Sequence, residues 1–333
     1  MPTNQRQLIN EPDSAVREAL EGLASVNPAL VTLDPAMQLV SRTKPAANKV
    51  ALVSGGGSGH EPLHAGFVGN GMLDVAVCGA LFASPTAHQI HRGTTLADNG
   101  AGVLHIVKNY TGDVLNFQIA AELTAEEDTV VEAVLVDDDL ASASADGPGR
   151  RGTAATLVVE KVCGAVAESG AELATVAQIG RDVAARSRSL ALALEACTHP
   201  GADRPAFDLS DDEVEFGVGI HGERGTGRVS CASADELTEQ LVSPLVADLQ
   251  LDRGAAVIAI VNGLGGASPL ELNIVARNVH RFLDAAGITV ARSLVGSYVT
   301  SLDMHGVSVT LTVADDAVVG AWDAPVRTPA LTW

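Results

Sequence analysis

Apolar β-runs that alternate with helical stretches are the feature that most constrains the fold of this chain. Segments 50–53, 74–78, 103–107 and 130–136 are mostly apolar, and stretches of helical character follow them, including 152–168 and 173–186. Strands that are apolar on both faces are typical of parallel sheets covered by helices. The pattern therefore predicts an α/β fold in which mainly parallel or mixed sheets are flanked by helices.

The pattern restarts after a linker-like stretch, and 333 residues are enough for two α/β domains. Residues 198–205 are polar and contain two prolines and a glycine, which is typical of a linker. We place the domains at 1–195 and 196–333. A helix is predicted to start at Ser84-Pro85, with serine as the N-cap and proline at the first helical position, and another is predicted to start near Ser268-Pro269. The chain is predicted to end in antiparallel strands at 288–295 and 307–313.

Composition excludes several classes of function. The formal net charge is -20, from 41 acidic and 21 basic residues, and such an acidic protein repels nucleic acid. No run approaches the ~18 consecutive apolar residues of a membrane span, and the polar N-terminus is not a signal peptide. The four cysteines are far apart and lack metal-type spacing, so we expect buried free thiols and no metal site. We therefore expect a cytoplasmic protein.

Two histidines flanked by glycines are candidates for a ligand site. The run VEFGVGIHGE is interpreted as a strand that stops at His221, where neighbouring glycines leave the imidazole open to a small molecule. A second glycine-rich loop, SGGGSGH, follows the strand at 50–53 and ends in His60. A lone histidine more often has a structural role. Two such strand ends in one chain favour a pocket.

Lys108 and Asp113 leave one strand end, the second across the turn 109–113. With Gly57 and His60 they lie beyond the carboxyl ends of strands, where ligands bind in α/β sheets. A carboxylate there can take a proton from an alcohol, and an ammonium can polarise a carbonyl. The alternative is that Asp113 only caps a helix beside a surface lysine.

Two further motifs are candidates for binding sites. The glycine-rich loop lacks a GK[ST] ending and breaks the G-x-G-x-x-G pattern at its last position, so it predicts no nucleotide site. The acidic triplet Asp137-Asp138-Asp139 is interpreted as a strand-end and capping feature rather than as a metal site.

Five long runs carry a resemblance that spans nearly the whole chain. They are VALVSGGGSGHEPLHAGFVGNGM, GVLHIVKNYTGDVLNF, DDDLASASADGPGRRGTAATLVVEKVCGA, EFGVGIHGE and the C-terminal GSYVTSLDMHGVSVTL with WDAPVRTPALTW. They resemble the dihydroxyacetone kinase family, in its substrate-binding K subunit. Single-chain members that use ATP continue into a helical nucleotide-binding domain, whereas this chain stops at Trp333. The resemblance is therefore to the stand-alone K subunit.

The resemblance implies a mechanism and a set of site residues. His221 is expected to bind the ketone covalently as a hemiaminal, a nucleophilic capture. Gly57, His60, Lys108 and Asp113 are expected to hydrogen-bond the substrate oxygens. Asp113 would be the general base on the hydroxyl that is phosphorylated, and His60 would assist at the carbonyl oxygen. The expected catalytic residues are thus His221, Asp113 and His60.

The resemblance also implies partners. This chain is expected to bind no cofactor, and ADP or ATP with Mg²⁺ is expected on a separate L subunit. The phosphoryl donor is expected to be a protein of the phosphoenolpyruvate phosphotransferase system, and the chain is expected to form a homodimer. Two alternatives stay open: a ligand-sensing coregulator without kinase turnover, and an ATP-dependent kinase subunit for another short ketose such as erythrulose. Glu223-Arg224-Gly225 stands where bacterial examples have Glu-Pro-Gly, which leaves the preferred substrate open.

Overall fold

Two six-stranded sheets organise the part of the chain that the structure describes, residues 7–143 and 149–333 of a computed structural model. The polar N-terminal residues 1–6 lie outside the described residues, as do residues 144–148 of the DDDLASASADGPGRRG run. The chain forms two compact units. The first comprises Asn10–Val136, Thr156–Ala185 and Gly320–Trp333. The second comprises the described residues of Asp137–Ala155, Arg186–Val319 and, at the N-terminus, residues 7–9.

The first unit is a mixed sheet whose central strands are parallel. Its strands lie in the order β1-β2-β4-β3-β5-β6, and β4, β3, β5 and β6 pair in parallel, while β2 pairs antiparallel with β1 and β4. The elements are α1 (Ala15–Val26), β1 (Val31–Asp34), β2 (Leu39–Arg42), β3 (Ala51–Ser58), β4 (Val75–Leu81), α2 (Ala87–Ala97), β5 (Val103–Lys108), α3 (Thr111–Ala125), β6 (Val131–Val136), α4 (Ala155–Glu168) and α5 (Leu173–Ala185).

Apolar side chains explain where the helices of this unit pack. Ile90 of α2 and Phe117 of α3 are buried against Val53, Val77 and Val107 of the central strands. β3 and β5 are buried along their whole length, as predicted for strands covered by helices, whereas β6 at the edge is only partly buried.

The predicted start of α2 at Ser84-Pro85 is wrong. Thr86 is the N-cap, because its side chain accepts a hydrogen bond from the backbone N–H of Gln89 while the Gln89 side chain bonds the backbone N–H of Thr86. This reciprocal capping box satisfies two otherwise unpaired donors, so α2 begins at Ala87.

The second unit is a mixed sheet that is mostly antiparallel. Its strands lie in the order β11-β10-β12-β7-β8-β9, and only the β10–β11 pair is parallel among the described residues. The elements are β7 (Ser187–Glu195), β8 (Glu213–Phe216), β9 (Gly227–Ser230), α6 (Ala234–Asp248), β10 (Ala256–Gly263), α7 (Pro269–Ala286), β11 (Thr289–Gly296), β12 (His305–Val313) and α8 (Asp316–Asp323), the last of which crosses the boundary between the units.

Helix α7 begins as predicted, with Ser268 as N-cap in a capping box with Glu271 and with Pro269 in the first turn. Leu241 of α6 and Val279 of α7 pack on this sheet against Leu190, Ala259 and Val309. The prediction of an α/β protein with mixed sheets flanked by helices is confirmed.

The units do not follow the predicted division at residue 195. β7 lies before that point in sequence but pairs with β12 and β8 of the second sheet. The C-terminal segment returns to the first unit, where the backbone N–H of Arg327 donates to Asn70 O at 2.9 Å. Long-range pairing of this kind leaves no local signal in sequence.

The sequence predicts four buried thiols and no membrane-spanning segment. Within the described residues, no helix combines the length and the apolarity needed to cross a membrane. Three cysteines are buried, as predicted, whereas Cys231 is exposed because it follows the edge strand β9.

Candidate active site

The glycine run of residues 55–57 is part of a strand, so the predicted glycine-rich loop is wrong. β3 continues through Ser58 and pairs with β4. A Cβ on Gly55 would overlap the carbonyl oxygen of Val77, and one on Gly57 would lie 2.6 Å from the backbone N of Ala83. Glycine is required because neighbouring backbone passes directly against the strand. A strand does not present the successive N–H groups with which a helix N-terminus binds phosphate.

Lys108 ends β5, and its ammonium occupies the space that Gly56 leaves open. A Cβ on Gly56 would overlap Nζ of Lys108 and would lie 3.3 Å from its Cε. Lys108 is 0% exposed. Its Nζ donates to the carbonyl oxygen of Gly55 at 3.1 Å and lies 3.7 Å from Oδ2 of Asp113. The alternative in which Lys108 is a surface residue is therefore excluded.

Asp113 lies in the first turn of α3 rather than in a turn before a helix. Tyr110 occupies the N-cap position, so Asp113 is not the cap. The Asp113 carboxylate is buried, and within the described residues its Oδ1 has no hydrogen-bond partner. Helix N-termini stabilise anions, but a buried acceptor without a donor costs free energy. This oxygen is therefore suited to accept a hydrogen bond from a ligand hydroxyl.

Sequence reasoning missed His64, which contacts Lys108, and two residues that contact His64 in turn. Nε2 of His64 lies 2.8 Å from Nζ of Lys108, and Nδ1 of His64 lies 2.7 Å from Oε1 of Glu160 on α4. Ser54 of β3 adds a hydroxyl 3.1 Å from the same Nδ1. Two signals could have found them: a second histidine four residues after His60, and a glutamate inside the apolar helical run TLVVEKV.

The buried charges perturb one another. Burial lowers the pKa of Lys108, although Asp113 and Glu160 act in the opposite direction. Burial, followed by the charges of Lys108 and His60, holds the pKa of His64 well below its usual value, so the ring is neutral. Burial raises the pKa of Glu160 to about 8, against the attraction of Lys108. The acidic side chains of Asp113 and Glu160 therefore partly offset the effect of burial on the pKa of Lys108.

His60 follows β3 and is buried beside the same cluster. Its ring stacks on Phe82, with centroids 5.1 Å apart and planes inclined by 19°. Backbone atoms of Phe82 also pass against Gly57, where a Cβ would lie 2.8 Å from them. The first unit therefore brings together four of the five predicted residues, Gly57, His60, Lys108 and Asp113, around His64 and Phe82.

His221 lies in the second unit, and the strand predicted to end at it stops earlier. β8 ends at Phe216, and the segment from Gly217 to Thr226 is a loop that closes where the Thr226 N–H donates to Phe216 O at 2.8 Å. His221 is partly exposed. Its backbone N–H donates to Oε2 of Glu223 at 2.7 Å. A partly exposed imidazole held through its own backbone can meet a small molecule.

Arg151 restrains the loop that carries His221. Its guanidinium bonds Oε1 of Glu223 at 2.9 Å, Gly217 O at 3.0 Å and Oδ2 of Asp139 at 2.6 Å. A Cβ on Gly219 would overlap the Glu223 carboxylate, so glycine lets the ion pair form. Burial raises the pKa of Asp139 to about 6, while Arg151 opposes this shift.

Two carboxylates of the acidic triplet, Asp138 and Asp139, cap backbone N–H groups, as predicted. Asp138 accepts hydrogen bonds from the backbone N–H groups of Thr153 at 2.6 Å and Ala155 at 3.1 Å, where α4 begins. Asp139 accepts from the N–H of Ala141 at 3.1 Å. Across residues 7–143 and 149–333, no group of three or more His, Cys, Asp or Glu side chains could hold a metal ion.

Comparisons with known proteins agree along almost the whole chain. The model of the Dak1 domain matches residues 21–330. Over 327 residues the chain is 44% identical to the "PTS-dependent dihydroxyacetone kinase 1, dihydroxyacetone-binding subunit DhaK" of Listeria innocua, covering 98% of this chain and 99% of that protein.

Solved structures give the same relationship. The dihydroxyacetone kinase from C. freundii, in complex with AMP-PNP and Mg²⁺, superimposes with a TM-score of 0.90 at 35% identity, covering 97% of this chain and 60% of that chain. The dihydroxyacetone kinase operon co-activator DhaQ superimposes with a TM-score of 0.89 at 32% identity, covering 96% of this chain and 98% of that chain.

Proposed function

The chain belongs to the dihydroxyacetone kinase family, and we propose that it is the dihydroxyacetone-binding K subunit of a multi-subunit kinase. The observation that carries the proposal is the buried Asp113 carboxylate, whose Oδ1 has no partner in the described part of the chain and whose Oδ2 faces the Lys108 ammonium. A base held in this way suits an alcohol that must lose a proton as it is phosphorylated.

His221 captures the ketone. A ring-nitrogen lone pair attacks the carbonyl carbon, and the π electrons of the C=O bond move to oxygen, which takes up a proton. The other ring nitrogen releases its proton, so the hemiaminal differs from the free protein by the mass of one dihydroxyacetone. His60 assists by exchanging a proton with the carbonyl oxygen. Glycerol has no carbonyl carbon and forms no adduct.

Asp113 is the general base, and Gly57, His60 and Lys108 hydrogen-bond the substrate oxygens. Phosphoryl transfer depends mainly on alignment and on stabilisation of charge. The hydroxyl that is phosphorylated gives its proton to Oδ1 of Asp113. The Lys108 ammonium lies 3.7 Å from Oδ2 of Asp113, so a positive charge stands beside the carboxylate that receives the hydroxyl proton.

The nucleotide belongs to a partner. We propose that a separate L subunit carries ADP or ATP with Mg²⁺, and that a phosphotransferase-system protein supplies the phosphoryl group, as the name of the Listeria innocua relative indicates for that protein. The strand conformation of residues 51–58 supports this division, since it offers no phosphate cradle. A homodimer of the K subunit is part of the same proposal.

Intact-mass measurement after rapid cold desalting tests covalent capture. The wild-type protein is expected to gain the mass of one dihydroxyacetone, whereas His221→Ala and a glycerol sample gain nothing. His280→Ala is the matched control, because His280 lies on α7 in the same unit as His221 and its Nε2 bonds the Ser293 hydroxyl at 2.8 Å. A folded wild-type protein without an adduct would contradict the proposal.

A ligand-sensing coregulator is the second candidate, favoured by the similarity to the operon co-activator. Turnover separates the two functions. With an L subunit and a phosphotransferase donor, the kinase subunit produces dihydroxyacetone phosphate, and Asp113→Asn abolishes production while leaving the adduct. A coregulator forms the adduct and turns over nothing. Repeating the assay with ATP and with erythrulose identifies the donor and the preferred ketose.

A further inference from the structure

We propose that His64 and Glu160 are positioning residues: Glu160 fixes the tautomer of His64, and His64 holds the Lys108 ammonium beside Asp113. The inference rests on the proposed function, because it concerns the lysine that serves the base. Neither residue was predicted from the sequence, and neither is a predicted substrate contact.

The donors of Lys108 show why its ammonium needs a second anchor. A lysine ammonium has three N–H donors and no acceptor. One reaches Gly55 O at 3.1 Å, one reaches Nε2 of His64 at 2.8 Å, and Asp113 Oδ2 lies 3.7 Å away. The two shorter contacts are to protein groups outside the predicted substrate contacts. These two contacts therefore fix the position of the ammonium while Asp113 exchanges a proton.

The direction of these hydrogen bonds fixes the His64 tautomer. Because the Lys108 ammonium can only donate, Nε2 of His64 must accept, and the neutral ring carries its hydrogen on Nδ1. Nδ1 lies 2.7 Å from Oε1 of Glu160 and 3.1 Å from Oγ of Ser54. The Ser54 hydroxyl donates to Ile106 O at 2.7 Å, so its oxygen can accept as well. Glu160 is the closer acceptor.

Removing the acceptor at residue 160 changes what Lys108 meets. With Glu160 replaced by an apolar side chain, the more distant Ser54 hydroxyl is left to accept from Nδ1. The tautomer with hydrogen on Nε2, where an N–H would face the ammonium, then becomes more favourable. Lys108 would then lose an acceptor and move away from Asp113. The residues involved are almost fully buried: His64 is 4% exposed, and Lys108 and Glu160 are 0% exposed. Water is therefore a poor substitute for the lost acceptor.

An amide can replace the carboxylate in this role. Glu160→Gln keeps an oxygen that accepts from Nδ1, whereas Glu160→Leu keeps only the volume. If the acceptor is what matters, the glutamine variant retains the function and the leucine variant loses it. If Glu160 only fills space in α4, the two variants behave alike.

Two matched controls separate positioning from stability. Glu168 lies on the same helix and pairs with Arg42 at 2.8 Å, so Glu168→Leu removes a carboxylate that does not touch His64. His105 lies on the same strand as Lys108 and bonds Thr94 at 2.8 Å, so His105→Gln removes another buried imidazole. These bonds of Glu168 and His105 are to Arg42 and Thr94 and not to Lys108.

The first experiment needs no partner subunit. Nitrogen-15 NMR of histidine-labelled protein is expected to show one neutral ring with its hydrogen on Nδ1, assigned by its loss in His64→Gln. Lys108→Met is expected to shift the Nε2 resonance of this ring, because its donor disappears, and Glu160→Gln is expected to preserve the tautomer. A wild-type ring with hydrogen on Nε2, or an Nε2 resonance that ignores Lys108→Met, would overturn the inference even if Glu160→Leu fails to fold.

Kinetics with the L subunit provide the second readout. Outer-shell residues that orient a functional group typically cost roughly 10- to 100-fold when removed, and we expect a kcat loss of this size for Glu160→Leu. Glu160→Gln and both controls should stay within about 2-fold, and the His221 adduct should form in all variants. An unchanged kcat in folded Glu160→Leu overturns this inference but leaves the proposed function intact. A wild-type protein without an adduct overturns the proposed function.

Discussion

Gly56→Ala tests whether glycine is needed at residue 56 to leave space for the Lys108 side chain. The new methyl group would overlap Nζ of Lys108 and would lie 3.3 Å from its Cε and 3.6 Å from Oδ2 of Asp113. Lys108 is fully buried at the end of β5, so its ammonium has to leave the contacts that it makes with Gly55 O and His64. The strand itself can accept alanine, because Gly56 does not have a positive φ.

The expected cost follows from the contacts that are lost. A hydrogen bond to a charged group contributes about 1.5–3 kcal/mol, and Lys108 donates two short ones, at 3.1 Å and 2.8 Å. Reduced freedom of the unfolded chain returns roughly 0.4–1 kcal/mol for glycine to alanine. We therefore expect Gly56→Ala to lower the free energy of unfolding by roughly 2–6 kcal/mol. The displaced ammonium should also lower kcat.

Urea unfolding followed by circular dichroism measures the first effect, and turnover with the L subunit measures the second. Gly22→Ala is the control, because nothing lies within 4 Å of its new methyl group on α1, where alanine stabilises a helix by up to about 1 kcal/mol. A Gly56→Ala protein as stable and as active as the wild type would refute the reasoning.

Three further predictions concern the loop, the pH dependence and the thiols. Arg151→Gln removes the guanidinium that pairs with Glu223 and should slow formation of the His221 adduct roughly 10-fold in a mass time course. An unchanged rate would show that the loop keeps its conformation without Arg151. Burial lowers the pKa of His105 to about 3 from the ordinary 6.5, so its contribution to stability is present above pH 6.5 and is lost as the pH falls towards 3. The urea midpoint of His105→Gln should therefore fall less steeply with acid than that of the wild type, and parallel curves would contradict this. A maleimide at neutral pH should label one thiol per folded chain, and Cys231→Ser should abolish it, because burial raises the thiol pKa of the other three, Cys78, Cys163 and Cys197.

The class of fold could be predicted because apolar β-runs and helix signals are local. Ser268-Pro269 marks the start of α7 correctly, since its capping box is complete within four residues. At Ser84-Pro85 the same signal fails, because Thr86 with Gln89 makes the better cap two residues later. The assignment of β7 to the second sheet depends on pairing with β12, more than a hundred residues away, and periodicity carries no information about such a partner.

Sequence reasoning found Lys108 and Asp113, which lie close together along the chain, and missed residues that only the fold brings together. Lys108 and Asp113 stand at the end of one strand and in the first turn of the next helix, so their proximity follows from local order. His64 and Glu160 are 96 residues apart, and only the folded sheet and α4 bring them together. The glycine run misled for a related reason: glycines in sequence resemble a loop, but the side chain that requires Gly56 belongs to another strand.

The different burial of His221 and Asp113 follows from the different chemistry proposed for them. A nucleophile that captures a ketone must be reachable, so His221 is partly exposed and is restrained through its backbone N–H by Glu223 and, behind it, by Arg151. A base that removes a hydroxyl proton works best where water does not screen it, and Asp113 is buried beside Lys108. The ammonium beside such a base has to be held by fixed acceptors. Without them it would move with the carboxylate or bind water. The buried contacts of His64 and Glu160 provide those acceptors, and their loss should therefore affect turnover while capture at His221 continues.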